Sequence, residues 1–281
     1  PIKSSAASDV YKRQNVSSSL LFENISEYDR RYGTSGQMLK NAKTLRDIVE
    51  RPECINDAII KAKFMLQDKA TPKWKGVDVI PANSMMSAMP PLEDPDDEQS
   101  GLVILEAINR IRRTRKHMYD YDYILFDLPP FLGELTIAVL AAVNYILVPA
   151  SVDSYSLNGF GALNDTVNYL VNSGRNPDLR IIGIFFTMMQ ANSYYIGLYA
   201  DAIDALGDTF MKSTIRQNVN ARKANECGCP LCWLKRNAGI TKDYIHLTEE
   251  VLRRCNLLKE DEHLPNLADS DDNYTNYLLT R

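Results

Sequence analysis

Tyr121-Asp-Tyr-Ile-Leu-Phe-Asp127-Leu-Pro-Pro-Phe-Leu-Gly133 is the stretch on which the fold turns. Its apolar run predicts a buried strand over 123–127 that ends on a carboxylate, Asp127. Pro129, Pro130 and Gly133 follow, making a rigid turn and then a flexible point. A carboxylate where a strand leaves a sheet can hold Mg²⁺, directly or through water, because this ion takes few carboxylates and keeps several waters. The same turn can sense a γ-phosphate. The plainer alternative is a carboxylate that caps the following helix. On the first reading the stretch is the magnesium side of a nucleoside triphosphatase site. The other side of such a site is a glycine-rich phosphate loop with a lysine, nearer the N-terminus, and no such loop occurs in the 281 residues.

Outward from this stretch, helical and strand patterns alternate. Downstream, residues 135–143 predict an apolar helix and 145–149 a short apolar strand. Helix 156–171 follows, then a turn at 172–177 and a strand at 179–187 rich in Ile and Phe. Helix 194–206, a shorter strand at 209–215 and a late helix at 241–255 complete the series. Upstream, 35–49 and 55–66 have helical spacing. Residues 57–70 are rich in helix formers, and Pro72 stops them. Residues 77–81 read as a strand ended by proline, and 90–100 as an acidic, proline-bearing loop. In 101–117, Leu102, Leu105, Ile108 and Ile111 recur at helical spacing. The opposite face carries Arg110, Arg112, Arg113, Arg115 and Lys116 and reads as solvated. The acidic tail over 259–273 is expected to fray.

Strand and helix alternating over this length mean parallel β-α units, and continuously apolar strands mean a sheet covered on both faces. The expectation is a single doubly wound α/β domain without an interdomain linker. Ligands then sit at the carboxyl ends of strands, where Asp127, Pro149, Thr187 and Arg216 fall. A net charge of -4 excludes a broadly basic surface, so any nucleic-acid contact must come from a local patch. No apolar run is long enough to span a bilayer. Five cysteines in an α/β pattern predict reduced thiols rather than a disulfide framework.

Residues 4–14, Ser-Ser-Ala-Ala-Ser-Asp-Val-Tyr-Lys-Arg-Gln, show no amphipathic period. They back-translate codon for codon to the adapter of a transposon-based sequencing-library method. The expectation is that 1–14 is translated adapter and that native sequence begins at about Asn15. The alternative is a disordered polar tail.

The central stretch, continued through Glu134-Leu-Thr136, resembles the Walker B region of ParA/Soj-type partition ATPases, which have a deviant phosphate loop. That family reads Tyr-Asp, apolar residues, Asp-x-Pro-Pro-x-Leu-Gly-x-Leu-Thr. The similarity continues in order. It runs through the strand ending in Val148-Pro149, Tyr155-Ser-Leu-Asn-Gly-Phe160, Asn176-Pro-Asp-Leu179 and Ile181-Ile-Gly-Ile184. It goes on through Thr187-Met188, Ile215-Arg-Gln-Asn-Val219 and Gly228-Cys-Pro230. Upstream, Thr44-Leu-Arg-Asp47 and Val79-Ile-Pro-Ala-Asn83 also fit.

The resemblance covers about 15–255. It implies an incomplete ParA-like AAA-type ATPase domain over 15–258, with an acidic tail over 259–281. It implies a P-loop NTPase fold lacking the first, P-loop strand, with ATP and Mg as cofactors. It further implies an ATP-dependent homodimer that binds DNA non-specifically, with a centromere-binding ParB-like partner. The expected location is cytoplasmic and nucleoid-associated, with no membrane partner. By the same resemblance, Asp127 would hold Mg through water. Asp127, Pro129, Pro130, Gly133, Thr187, Arg216 and Asn218 would line the nucleotide, and Arg216, Arg222 and Lys223 would face DNA, with Lys235, Arg236 and Lys242 following.

The departures are the missing lysine loop, a 187–192 run without the family's acidic residue and arginine, and Arg216 where many relatives have proline. The chain itself is therefore expected not to hydrolyse ATP, so no catalytic residue is assigned. Cys227, Cys229 and Cys232, with Cys255 or His246 as a remote fourth ligand, match no strong zinc spacing. His117, His246 and His263 form no triad. Two alternatives stay open. One is a MinD-like ATPase that positions division, which the acidic 269–281 terminus argues against because that group ends in a basic amphipathic helix. The other is a non-catalytic DNA-binding regulator.

Overall fold

The computed structural model describes residues 43, 45–61, 78–80, 99–113, 121, 123–128, 131–151, 154–226 and 230–264. The 1–14 segment, Asn15, Pro129, Pro130, Cys227, Cys229 and the tail beyond 264 lie outside them. The sequence showed no linker, yet the chain divides into two compact units. One is Pro1–Val143 with Asn172–Pro177 and Asn225–Cys229; the other is Asn144–Val171 with Asp178–Ala224 and Pro230–Arg281.

In the first unit, α1 (Leu45–Glu50) leads into a 3-10 turn at Pro52–Cys54 and a single helical turn, α2 (Ile55–Ala58). Pro52 is tolerated there because the first N–H groups of a helical turn lack internal partners anyway. The backbone extends at Ile59, and β1 (Ile60–Lys61) pairs antiparallel with β2 (Asp78–Val79). The helix expected over 55–66 therefore stops at Ala58: strand pairing outweighs the weak local preference of good helix formers. β2 falls where the sequence predicts a strand. Ile48, Cys54, Ile55 and Ala58 pack with Ala107 of α3 (Gln99–Arg113). A second cluster joins Ile104 and Ile108 to Ala138 and Val139 of α4 (Glu134–Leu140), with Phe126 and Leu128 against it. The Asn176 amide donates to Leu140 O at 2.8 Å and Val143 O at 2.7 Å, pairing carbonyls that the end of α4 leaves open.

The strand expected over 123–127 is not formed: the described residues there have no regular structure. Leu125 is 92% exposed, and Tyr123 and Ile124 are also exposed. A buried parallel strand is held by ladders on both sides, and an apolar run alone does not supply them.

The second unit holds the parallel sheet. β3 (Tyr145–Ser151) pairs with β4 (Arg180–Thr187) in parallel, from Tyr145↔Arg180 to Ser151↔Thr187, with an irregularity at Ile146/Leu147. The crossover between them carries α5 (Ser154–Asn172), the usual way to join parallel neighbours. The strand expected over 209–215 is reduced to one parallel bridge, Ile184↔Phe210, with a second, Met189↔Arg216, one residue past its end. They extend the sheet beyond β4.

α6 (Ser193–Leu206) covers one side, where Ala150, Ile184, Phe186, Ala202 and Phe210 form a core. α9 (Gly239–Arg254) covers the other, where Phe185, Met211 and Ile215 meet Ile240 and Leu247. Between them in sequence run a 3-10 turn at Gly207–Thr209, α7 (Val219–Glu226) and the short α8 (Leu231–Leu234). Gly183 is required where β4 meets the next segment, because a Cβ there would collide with the buried Met211 side chain. The expected covering of both faces holds for β4. It does not hold for β3, whose Tyr145 and Leu147 stay exposed among the described residues.

Candidate nucleotide-facing site

The expected site residues fall in both units. In the first, Asp127 is exposed and lies in irregular backbone rather than at a strand end. Gly133 is the N-cap residue of α4, with extended φ -86° and ψ 170°. Its carbonyl accepts from Ile137 N at 3.0 Å. The buried Thr136 hydroxyl donates back to Phe131 O at 3.1 Å, which closes the turn between Phe131 and α4. A lone exposed carboxylate suits the mode in which Mg²⁺ arrives with a nucleotide's phosphates and keeps its waters. It does not suit an all-protein cage, and no group of three metal-binding side chains occurs among the described residues.

In the second unit, the structure brings Thr187, Arg216 and Asn218 to the carboxyl end of β4, where open α/β sheets bind ligands. The Thr187 hydroxyl lies 3.4 Å from Ala150 O. Met188 then takes a left-handed conformation, φ 56°, with its side chain exposed. That conformation is uncommon for a non-glycine residue, and such residues cluster at functional sites. Met189 returns to the sheet. Its N–H donates to Ile215 O at 3.0 Å, and its carbonyl accepts from Gln217 N at 2.9 Å. The Gln190 side-chain amide donates to Gln217 Oε1 at 2.8 Å. Asn218 Oδ1 accepts from Asn220 N at 2.8 Å and so caps α7.

Arg216 is the most constrained of these residues. Its Nε and Nη2 donate to the two oxygens of Asp243 at 2.7 Å each, and its backbone N–H donates to Asp243 Oδ2 at 3.1 Å. These hydrogen bonds, and then the opposite charge, hold the guanidinium above its ordinary pKa range. Arg222 and Lys223 are exposed on α7, and Lys235 and Lys242 are also exposed, with Arg236 half-buried. Cys232 is a half-buried thiol outside any disulfide, and so is Cys255, whose pKa burial pushes up.

The sequence reading missed Asp243 and, although it placed Glu249–Glu250 in the late helix, gave that pair no role. Glu250 accepts from Lys212 N at 3.0 Å and Ser213 N at 2.8 Å, and Arg254 Nη2 donates to it at 3.0 Å. Arg254 also donates to Ile182 O and Phe210 O. Together they fasten the 210–213 segment to α9. Glu249 accepts from Leu264 N at 2.8 Å and pairs with Arg253 and His263. The tail expected to fray is therefore tied down as far as 264. A glutamate–arginine pair four residues apart was visible in the sequence, but its backbone partners lie 37–72 residues away.

A family model described as AAA domain matches residues 12–181. The sporulation initiation inhibitor protein Soj of Bacillus subtilis (strain 168) is 26% identical over 204 residues, 71% of this chain and 76% of that protein. The chromosome partitioning protein ParA of Myxococcus xanthus (strain DK1622) is 30% identical over 139 residues, 48% of each chain. The match thus spans about half the length of that second relative. A Borrelia burgdorferi B31 structure described as a plasmid partition protein bound to AMPPNP superposes with a TM-score of 0.57 at 18% identity. The match covers 86% of this chain and 82% of that one. The shared fold is the α/β fold of P-loop NTPases with a parallel sheet.

Proposed function

The chain belongs to the AAA domain family, with ParA/Soj-type partition ATPases as relatives, and on that premise we propose that it carries the base and magnesium sides of a DNA-partitioning ATPase. One observation carries this reading. Just beyond Thr187 and the left-handed Met188, Met189 bridges to Arg216, which puts the start of the 216–218 segment at the carboxyl end of β4, where nucleotides sit in such sheets. In this proposal Thr187, Arg216 and Asn218 lie beside the base. Pro129, Pro130 and Gly133 form the phosphate-sensing turn, and Asp127 holds Mg²⁺ through water. The bound ion would neutralise phosphate charge. The protein to which this chain corresponds would bind ATP as a homodimer switch, bind DNA non-specifically and answer to a ParB-like partner. Arg222 and Lys223 would supply mobile positive charge to DNA phosphates.

No glycine in the 281 residues is followed directly by lysine, so the chain carries no Gly-Lys of a phosphate loop. The chain by itself is proposed to turn over no ATP. Phosphate release with Mg²⁺ should match the background and be unchanged by Asp127→Ala. Turnover that disappears in Asp127→Ala would overturn the proposal. Retardation of duplex DNA, weakened by salt and by the Arg222→Glu/Lys223→Glu pair, tests the DNA part. Retardation unaffected by the pair removes α7 as the contact surface.

A further inference from the structure

Asp243 stands in the second turn of α9, with its side chain only 11% exposed, and commits both carboxylate oxygens to Arg216. The third bond, from the Arg216 backbone N–H, fixes the main chain as well as the side chain. Gly239, one turn earlier in α9, leaves the room this needs. A Cβ there would lie 2.6 Å from Arg216 Nη1 and 2.9 Å from its Cζ. The guanidinium thus occupies the space that a side chain at 239 would fill. Around it each neighbour is tied separately: Ile215 N to Phe186 O, Gln217 N to Met189 O, and Asn218 to the start of α7.

We infer that Asp243 is a positioning residue for the ligand-facing end of β4, holding residues 215–218 in place through Arg216, whose half-exposed guanidinium serves as a strut against α9. The consequence for ligand rests on the nucleotide reading. A base beside Thr187 and Asn218 would meet a segment whose shape is set from α9, and Asp243 would act on base preference without touching the base. The bidentate side-chain half of this lock needs the planar fork of arginine, which lysine cannot reproduce; the third bond comes from the main chain.

Amide hydrogen exchange on the ligand-free chain decides the positioning. In Asp243→Asn the Arg216 and Gln217 amides should exchange about tenfold faster, the size expected for losing a charge-assisted hydrogen bond. The α9 amides beyond Leu247 should not change, and Asp243→Glu should recover part of the protection. Unchanged exchange at Arg216 and Gln217 overturns the inference.

Titrations with adenosine and guanosine diphosphate, followed at the Thr187 and Asn218 amides, decide the consequence. The unsubstituted chain should prefer one base, and Asp243→Asn should change that preference by about threefold or more. A purely structural role would weaken both nucleotides alike, and that result overturns the role in base preference. A chain that binds neither nucleotide refutes the nucleotide reading, and the exchange result then decides the positioning alone.

Discussion

Glu250 gathers two backbone amides and one guanidinium on a side chain only 17% exposed. Burial pushes its carboxyl pKa up, but the Ser213 and Lys212 hydrogen bonds and Arg254 outweigh that and bring it below the ordinary range. Glu249 behaves alike: burial raises it, and the Leu264 amide, His263 and Arg253 lower it further. The sign for stability follows from these directions. The unfolded chain takes up protons at these carboxyls first, near the usual glutamate value of about 4.3. Their contribution is complete above that pH and is lost as pH falls through the lower folded values. The melting temperature should therefore drop steeply below about pH 4, and less steeply in Glu250→Gln. At neutral pH the same substitution turns one acceptor into a donor facing an N–H and should cost about 2 kcal/mol. Chemical denaturation at pH 7 and a pH series of melting curves read both. A loss under ~0.5 kcal/mol, the range of an ordinary surface substitution, would mean that the 212–213 segment is held by packing alone.

Among the elements, those legible in the sequence are those whose cause is local. α6 starts where Asn192 places its side-chain oxygen 3.1 Å from Tyr195 N, and a polar residue just before the apolar period of 194–206 announces that start. Replacing Asn192 by Ala should cost about 1 kcal/mol, while serine should retain most of it. Equal stability of Asn192→Ala in urea melts would show that the start is held by its core contacts instead.

β4 was legible because Ile181, Ile182, Ile184, Phe185 and Phe186 favour a pleated strand wherever a neighbour exists, and β3 is that neighbour. Residues 123–127 have the same kind of sequence and remain irregular, because a strand also needs edges to pair with. Residues 59–61 were misread as helix for the converse reason: pairing of Ile60–Lys61 with Asp78–Val79 was invisible to a local pattern. In the candidate site, Thr187 and Arg216 were legible as residues at or just after a strand end, whereas Asn218 entered only through the family resemblance. Asp243 was not legible, because nothing near it in the sequence signals a carboxylate turned toward residue 216.

At the scale of the whole molecule, the placement of apolar surface governs behaviour in solution. Leu125, Tyr123, Ile124, Phe131 and Leu132 are all exposed within ten residues of one unit, and Tyr145 and Leu147 are exposed on β3 of the other. Scattered exposed apolar residues are ordinary, but a run of them on irregular chain of β-prone sequence offers a surface for association. A net charge of -4 over 281 residues gives little long-range repulsion to oppose it. The chain should therefore associate as its concentration rises. Because Leu125 is almost fully solvated, replacing it touches little of the fold, and Leu125→Lys should change stability by no more than about 0.5 kcal/mol. The new charge should nonetheless interrupt the exposed run, as charged residues do when they flank such strands. Static light scattering over a concentration series should show less association for Leu125→Lys than for the unsubstituted chain at equal melting temperature. If scattering is unchanged while a Leu147→Lys variant suppresses it, association runs through β3, and the 123–132 run is merely exposed.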